Sequence, residues 1–88
     1  MHVKIEGRVQ GVGYRAWTVA VAHQHGIKGW VRNRTDGSVE AVFAGSEAAV
    51  EMMLQDCYDG PQAAKITSIQ VSDYNGAVDE GFTSKPTV

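Results

Sequence analysis

The sequence predicts an α+β fold: one antiparallel sheet with two helices packed on one of its faces. Three observations carry this expectation. Apolar residues recur at every second position in residues 3–9, 27–33 and 38–44, the period of half-buried strands. Two other stretches, 15–25 and 47–57, carry apolar residues at helical spacing. Turn signals (Gly11-Val12-Gly13, Asp36-Gly37, Gly60-Pro61) separate these runs.

Taken in order, residues 3–9 form the first strand, with Val3, Ile5 and Val9 inward and Lys4, Glu6 and Arg8 outward. The loop 10–14 follows. The helix 15–25 carries Trp17, Val19, Ala20, Val21 and Ala22, and Gly26 supplies its C-cap. In the second strand, 27–33, Trp30 and Arg32 share one face with Arg34, while Val31 and Asn33 share the other. Thr35-Asp36-Gly37 is a hairpin turn. The third strand, 38–44, places Val39, Ala41 and Phe43 on one face.

Ser46 is a good N-cap, and Glu47 suits the positive end of the next helix. That helix, 47–57, is expected to bury Val50, Met53, Leu54 and Cys57, and Gly60-Pro61 stops it. In the fourth strand, 65–74, the spacing of Ile66, Ile69 and Val71 slips by one, which predicts a bulge. Residues 75–80 read as a polar loop, Phe82 as the anchor of an optional short terminal strand, and Lys85 to Val88 as a tail. The order βαββαβ is that of a ferredoxin-like α/β sandwich.

The 88 residues suffice for one domain, 1–88, with one modest core. No apolar run approaches the roughly 18–20 residues of a membrane span. The amino terminus MHVKIEGRV enters a strand at once and resembles no signal peptide. Cys57 is the single cysteine, which excludes an internal disulfide and a thiolate-rich metal site, and makes a reducing, cytoplasmic setting the expectation. No heptad pattern or large apolar stripe suggests more than a monomer.

The net charge of −2 conceals an asymmetry. Residues 1–44 hold six basic and three acidic side chains, whereas residues 45–88 hold two and seven. A small anion is favoured beside the first half. A long polyanion such as a nucleic acid meets repulsion from the second.

The stretch from Gly7 to Arg15, GRVQGVGYR, is where an anion fits. Gly11 and Gly13 let successive N–H groups curl around one point. The helix start adds unpaired N–H groups and partial positive charge. Arg15 adds a planar donor fork suited to phosphate oxygens. The stretch is neither a Walker A loop, lacking Gly-Lys-Ser/Thr, nor a dinucleotide fingerprint, because Gly7, Gly11 and Gly13 do not give G-x-G-x-x-G.

Cys57 does not open a Cys-x5-Arg phosphatase loop, since position 63 is Ala63, and its helical phase makes it core. Asp56 and Asp59, at a helix end, read as solvated. His2, His23 and His25 show no convincing metal spacing, with His2 near a mobile terminus. Trp17 and Trp30 read as core or rim packing. For Asn33, just before the hairpin turn, two readings stand: it caps the turn, or its amide holds a water or a substrate oxygen.

GRVQGVGYR together with GWVRNRTDGSVE resembles the paired signature of the acylphosphatase family. The matching positions are Gly7, Val9, Gln10, Gly11, Val12, Gly13 and Arg15, then Gly29, Trp30, Val31, Asn33, Asp36, Gly37, Val39 and Glu40; Gly60-Pro61 also matches. The resemblance implies a small cytosolic enzyme that hydrolyses carboxyl phosphates, with a small acyl phosphate and phosphate as its partners. It implies that Arg15 binds the phosphoryl group within the loop Gln10, Gly11, Val12, Gly13, Tyr14 and Arg15. Asn33 would orient the attacking water. No metal, cofactor or phosphoenzyme is implied. Two departures stand out. The first motif usually ends in Phe-Arg, not Tyr14-Arg15, and His25 stands where an apolar residue is common.

Two other classes are distinguishable. An RNA-binding module shares the fold class, and Lys28-Gly29-Trp30 begins like an RNP1, but Val31, Arg32 and Asn33 supply no further stacking aromatics. A regulatory or carbamoyl-phosphate-handling module would act within a larger enzyme.

Overall fold

The computed structural model describes residues 1–88. The elements are β1 (His2–Arg8), α1 (Tyr14–His25), β2 (Lys28–Asn33), β3 (Val39–Ala44), α2 (Glu47–Asp59), β4 (Lys65–Ser72) and β5 (Phe82–Ser84). They form a five-stranded sheet in the order β4-β1-β3-β2-β5. The pairs β1·β3, β1·β4 and β2·β3 are antiparallel, as expected, whereas β5 lies parallel to β2. The chain leaves β4 at one edge and returns at the opposite edge. Its last strand therefore meets a partner that nothing local in sequence identifies.

One face of the sheet is apolar. Val3, Ile5, Val31, Val39, Ala41 and Phe43 are fully buried there and pack on Ala22 of α1 and on Val50, Met53 and Cys57 of α2. Leu54 is only partly buried at the edge of this core. On α1 the buried stripe is Tyr14, Thr18 and Ala22, spaced at i, i+4, i+8. The Thr18 hydroxyl donates to the Tyr14 carbonyl at 2.7 Å, so its one polar group is satisfied inside the helix. The bulge expected in the fourth strand is present: Glu6 pairs with Ser68 but Gly7 with Ile66, leaving Thr67 as the extra residue.

The other face is polar and cross-linked. Glu40 accepts from His2 Nε2 at 2.6 Å, from Arg32 Nε at 2.7 Å and from Arg34 at 3.2 Å. Partial burial disfavours the Glu40 charge, but the bonds from His2 and Arg32, with Arg34 nearby, win and hold its pKa below the ordinary value. His2 therefore belongs to a strand and is tied to Glu40 by a hydrogen bond, and is not part of a mobile end. The Arg32 guanidinium also lies 4.8 Å from the Trp30 ring centroid, with Lys85 Nζ at 5.7 Å.

Two further expectations are corrected. Asp56 is not simply solvated: its Oδ2 lies 2.7 Å from His25 Nε2, tying α2 to α1. The tail is not free either. Lys85 N–H donates to Val31 O, Val88 N–H to Asn33 O, and Thr35 N–H to Val88 O, so the C-terminal residues run along the β2–β3 hairpin. No helix is long and apolar enough to cross a membrane.

Candidate active site

The loop between β1 and α1 is built from backbone conformation. Gly11 and Gly13 have φ of 74° and 80°, and no residue other than glycine in the chain has positive φ, so the sign alternates through Val12. Such alternation turns consecutive amides toward one side. A Cβ at either glycine would meet no atom within 4 Å. The two glycines thus serve the backbone conformation, and the space beside them is open.

Gly13 is also the N-cap of α1, and no side chain caps the helix. The first backbone bond runs from Trp17 N–H to Gly13 O at 3.0 Å. The N–H groups of Tyr14, Arg15 and Ala16 precede it and have no helical acceptor. No acidic residue stands in the first turn. The positive end of the helix is therefore unneutralised where the loop amides converge.

The side chains of the loop divide the work. Val12 packs against the core. The Tyr14 ring is buried against α2, leaving only its backbone N–H to the loop. Burial, reinforced by the neighbouring Cys57, pushes the Tyr14 phenol pKa up, and burial likewise pushes the Cys57 thiol up to about 12. Gln10 spends both amide hydrogens on backbone carbonyls of the hairpin, Arg34 O and Ser38 O, each at 2.8 Å. Its side chain thus anchors the loop to the β2–β3 turn. Arg15 is exposed and joins none of the ion pairs that engage Lys4, Lys28, Arg32 and Arg34.

Asn33 ends β2 on the same face as the buried Val31. Its Oδ1 is buried and has no hydrogen-bond partner in the protein. The turn beside it is capped by Asp36, whose Oδ1 accepts from Ser38 N–H at 2.9 Å and Ser38 Oγ at 2.6 Å. Those bonds, with Lys4 adjacent, hold the Asp36 carboxyl below the usual carboxylate range. Asp36 therefore does the capping that sequence alone left open to Asn33.

The loop, the helix start and Asn33 line one cleft of about 390 Å³, with Val9, Gln10, Gly11, Gly13, Tyr14, Arg15, Ala16, Asn33 and Ser84 on its walls. No carboxylate, imidazole or thiol is among them. Val9, Ala16 and Ser84 are the wall residues outside the expected site, and of these Ser84 alone has a polar side chain. Its signal was its position two residues after Phe82, which is buried on the helix-covered face.

The family model described as Acylphosphatase matches residues 1–84. The chain belongs to the acylphosphatase family. Hydrolysis of acyl phosphates is the reaction of that family, and the chain is an enzyme of this type. An acylphosphatase of Rhizorhabdus wittichii is 54% identical over 86 residues, covering 98% of this chain and 87% of the relative. One from Rhodospirillum rubrum is 50% identical over 86 residues, covering 98% and 94%. The crystal structure of acylphosphatase from Bacillus subtilis superposes with a TM-score of 0.91 at 32% identity, covering 96% of this chain and 94% of that one.

Proposed function

We propose that Arg15 and the amides of residues 11–16 bind the phosphoryl group of an acyl phosphate, and that Asn33 holds the water that attacks phosphorus in line. The observation that carries this reading is the buried, unpartnered Oδ1 of Asn33, set in the same cleft as Arg15 and the open end of α1. A buried polar atom without a partner is costly to leave unmade, and a bound water repairs it.

The chemistry asks little more of the protein. The leaving group is a carboxylate, which departs without a general acid. Phosphoryl transfer needs positioning and stabilisation of charge on the equatorial oxygens. Arg15 and the amides supply the charge, with no metal required, and Asn33 supplies the orientation. The new P–O bond forms to the water oxygen as the bond to the acyl oxygen breaks. The carboxylate leaves with the bonding pair, and one water proton passes to a phosphoryl oxygen. The absence of an acid or base from the cleft walls accords with this economy.

In the same reading the chain works as one domain, as a monomer, in the cytoplasm. A single free, buried cysteine suits a reducing compartment. The test is turnover of benzoyl phosphate with EDTA present, by the wild type and by Arg15→Lys. The wild type turns over undiminished by EDTA. Arg15→Lys loses about 100-fold or more, because an ammonium lacks the planar fork. Wild-type rates in Arg15→Lys remove Arg15 from the mechanism.

A further inference from the structure

Asn33 Oδ1 offers a water one acceptor. A water held by a single bond still rotates about it, so its lone pair is not aimed. A second acceptor on the same wall removes that freedom, and the cleft contains one. Ser84 faces Asn33 from the neighbouring strand. Phe82 and Val31 are both buried on the helix-covered face, and the parallel register pairs Val31 with Ser84. Side chains alternate along a strand, so Ser84, two residues beyond Phe82, and Asn33, two beyond Val31, point to that same face as diagonal neighbours. Both line the cleft with Arg15. Ser84 is exposed on this wall, and its hydroxyl makes no hydrogen bond within the protein. Asn33 Oδ1 has none either. Two acceptors on one wall of a cleft can be joined by a single water.

We propose that Ser84 Oγ is the second acceptor for the attacking water. The water donates one hydrogen to Asn33 Oδ1 and the other to Ser84 Oγ, and a lone pair is left facing phosphorus. Once the new P–O bond has formed, the hydrogen held at Ser84 Oγ turns to a phosphoryl oxygen. In-line displacement then sets the acyl group on the opposite side of the phosphoryl group, away from β5. Ser84 therefore acts on the nucleophile and not on the choice of acyl group. This rests on the role proposed for Asn33.

Methanol separates the two acceptors, because it has a single O–H. It binds Asn33 fully with no use for Ser84. With benzoyl phosphate in water–methanol mixtures, Ser84→Ala lowers hydrolysis roughly three- to tenfold, the worth of one neutral hydrogen bond. Formation of methyl phosphate holds, so the ratio of methyl phosphate to inorganic phosphate rises by the same factor. Inhibition by inorganic phosphate is unchanged, and Ser84→Thr, which keeps the hydroxyl, restores the wild-type ratio. Hydrolysis at the wild-type rate in Ser84→Ala overturns the proposal, as does an equal fall of both products. Asn33→Ala, run in parallel, separates the two ideas. If it abolishes hydrolysis while Ser84→Ala hydrolyses at the wild-type rate, only the role of Ser84 fails. If it too hydrolyses normally, the water site itself is wrong.

Discussion

The Tyr14 hydroxyl donates a 2.6 Å hydrogen bond to the carbonyl of Cys57, joining the first turn of α1 to the last turns of α2. In an unbroken helix that carbonyl would accept from the residue four positions on. Here that residue is Pro61, which has no N–H to give. The tyrosine fills the gap that the proline leaves. The phenylalanine usual in the family at this position keeps the ring and lacks this bond. Tyr14→Phe should therefore lose about 1–3 kcal/mol of stability, the cost of an unsatisfied buried carbonyl. It should leave turnover nearly unchanged, because only the Tyr14 backbone faces the cleft. Urea denaturation beside a turnover assay checks both halves, and a large loss of activity with unaltered stability would count against this division of labour.

Gly60 belongs to the same contact. Its φ of 64° and ψ of −170° lie in a region open essentially to glycine alone. A Cβ there would sit 2.8 Å from Cε2 of the Tyr14 ring. Gly60→Ala should cost at least about 1–3 kcal/mol for backbone strain, with the ring displaced besides. Because Tyr14 begins the helix of which Arg15 is the second residue, the affinity for phosphate should weaken too. A thermal melt with and without phosphate measures both effects.

Gln10 holds the loop to the hairpin that carries Asn33. Gln10→Ala removes both bonds and leaves two carbonyls to find water. Gln10→Glu is worse, since it turns a carboxylate toward the carbonyls of Arg34 and Ser38. Both variants should lower kcat, Glu more than Ala, by about tenfold or more for the misplacement of reacting groups. Steady-state kinetics with benzoyl phosphate checks the order, and a Glu variant as active as wild type refutes it.

Much of this was legible in the residues. The slip between Ile66 and Ile69 announced the bulge at Thr67, and the alternation through Val31 put Asn33 on the apolar side. What escaped depended on partners distant in sequence. Gln10 read as part of the phosphate loop, yet its side chain is turned to the hairpin 24 and 28 residues away. The parallel pairing of β5 has no local signal, so the alternation after Phe82 gives the face of Ser84 but not the wall it joins. Asp56 sits at a helix end, where solvation is the usual outcome, and only the docking of α1 brings His25 to it.

Glu40 makes stability depend on pH. Its folded pKa lies below the ordinary value of 4.5. A depressed carboxylate contributes stability that is fully present above its unfolded pKa and is lost as pH falls through the folded one. Acidification below about pH 4.5 should therefore loosen the sheet face where His2, Arg32 and Arg34 meet it. Glu40→Gln should flatten that acid limb and lower stability at neutral pH. Urea midpoints at neutral pH and at about pH 3, below the ordinary carboxylate range, give the comparison. An unchanged acid slope in Glu40→Gln would assign it to other carboxylates.

The proposed site divides two roles, phosphate binding by Arg15 and the loop amides and water binding by Asn33. The most direct test is the inhibition constant of inorganic phosphate in Asn33→Ala, measured beside kcat. The division predicts that kcat falls about 100-fold, as for a misoriented reactant, while the phosphate constant stays within about twofold, far less than the loss of a charged donor would cost. A collapse of phosphate affinity with kcat maintained would contradict it and make Asn33 a phosphate ligand.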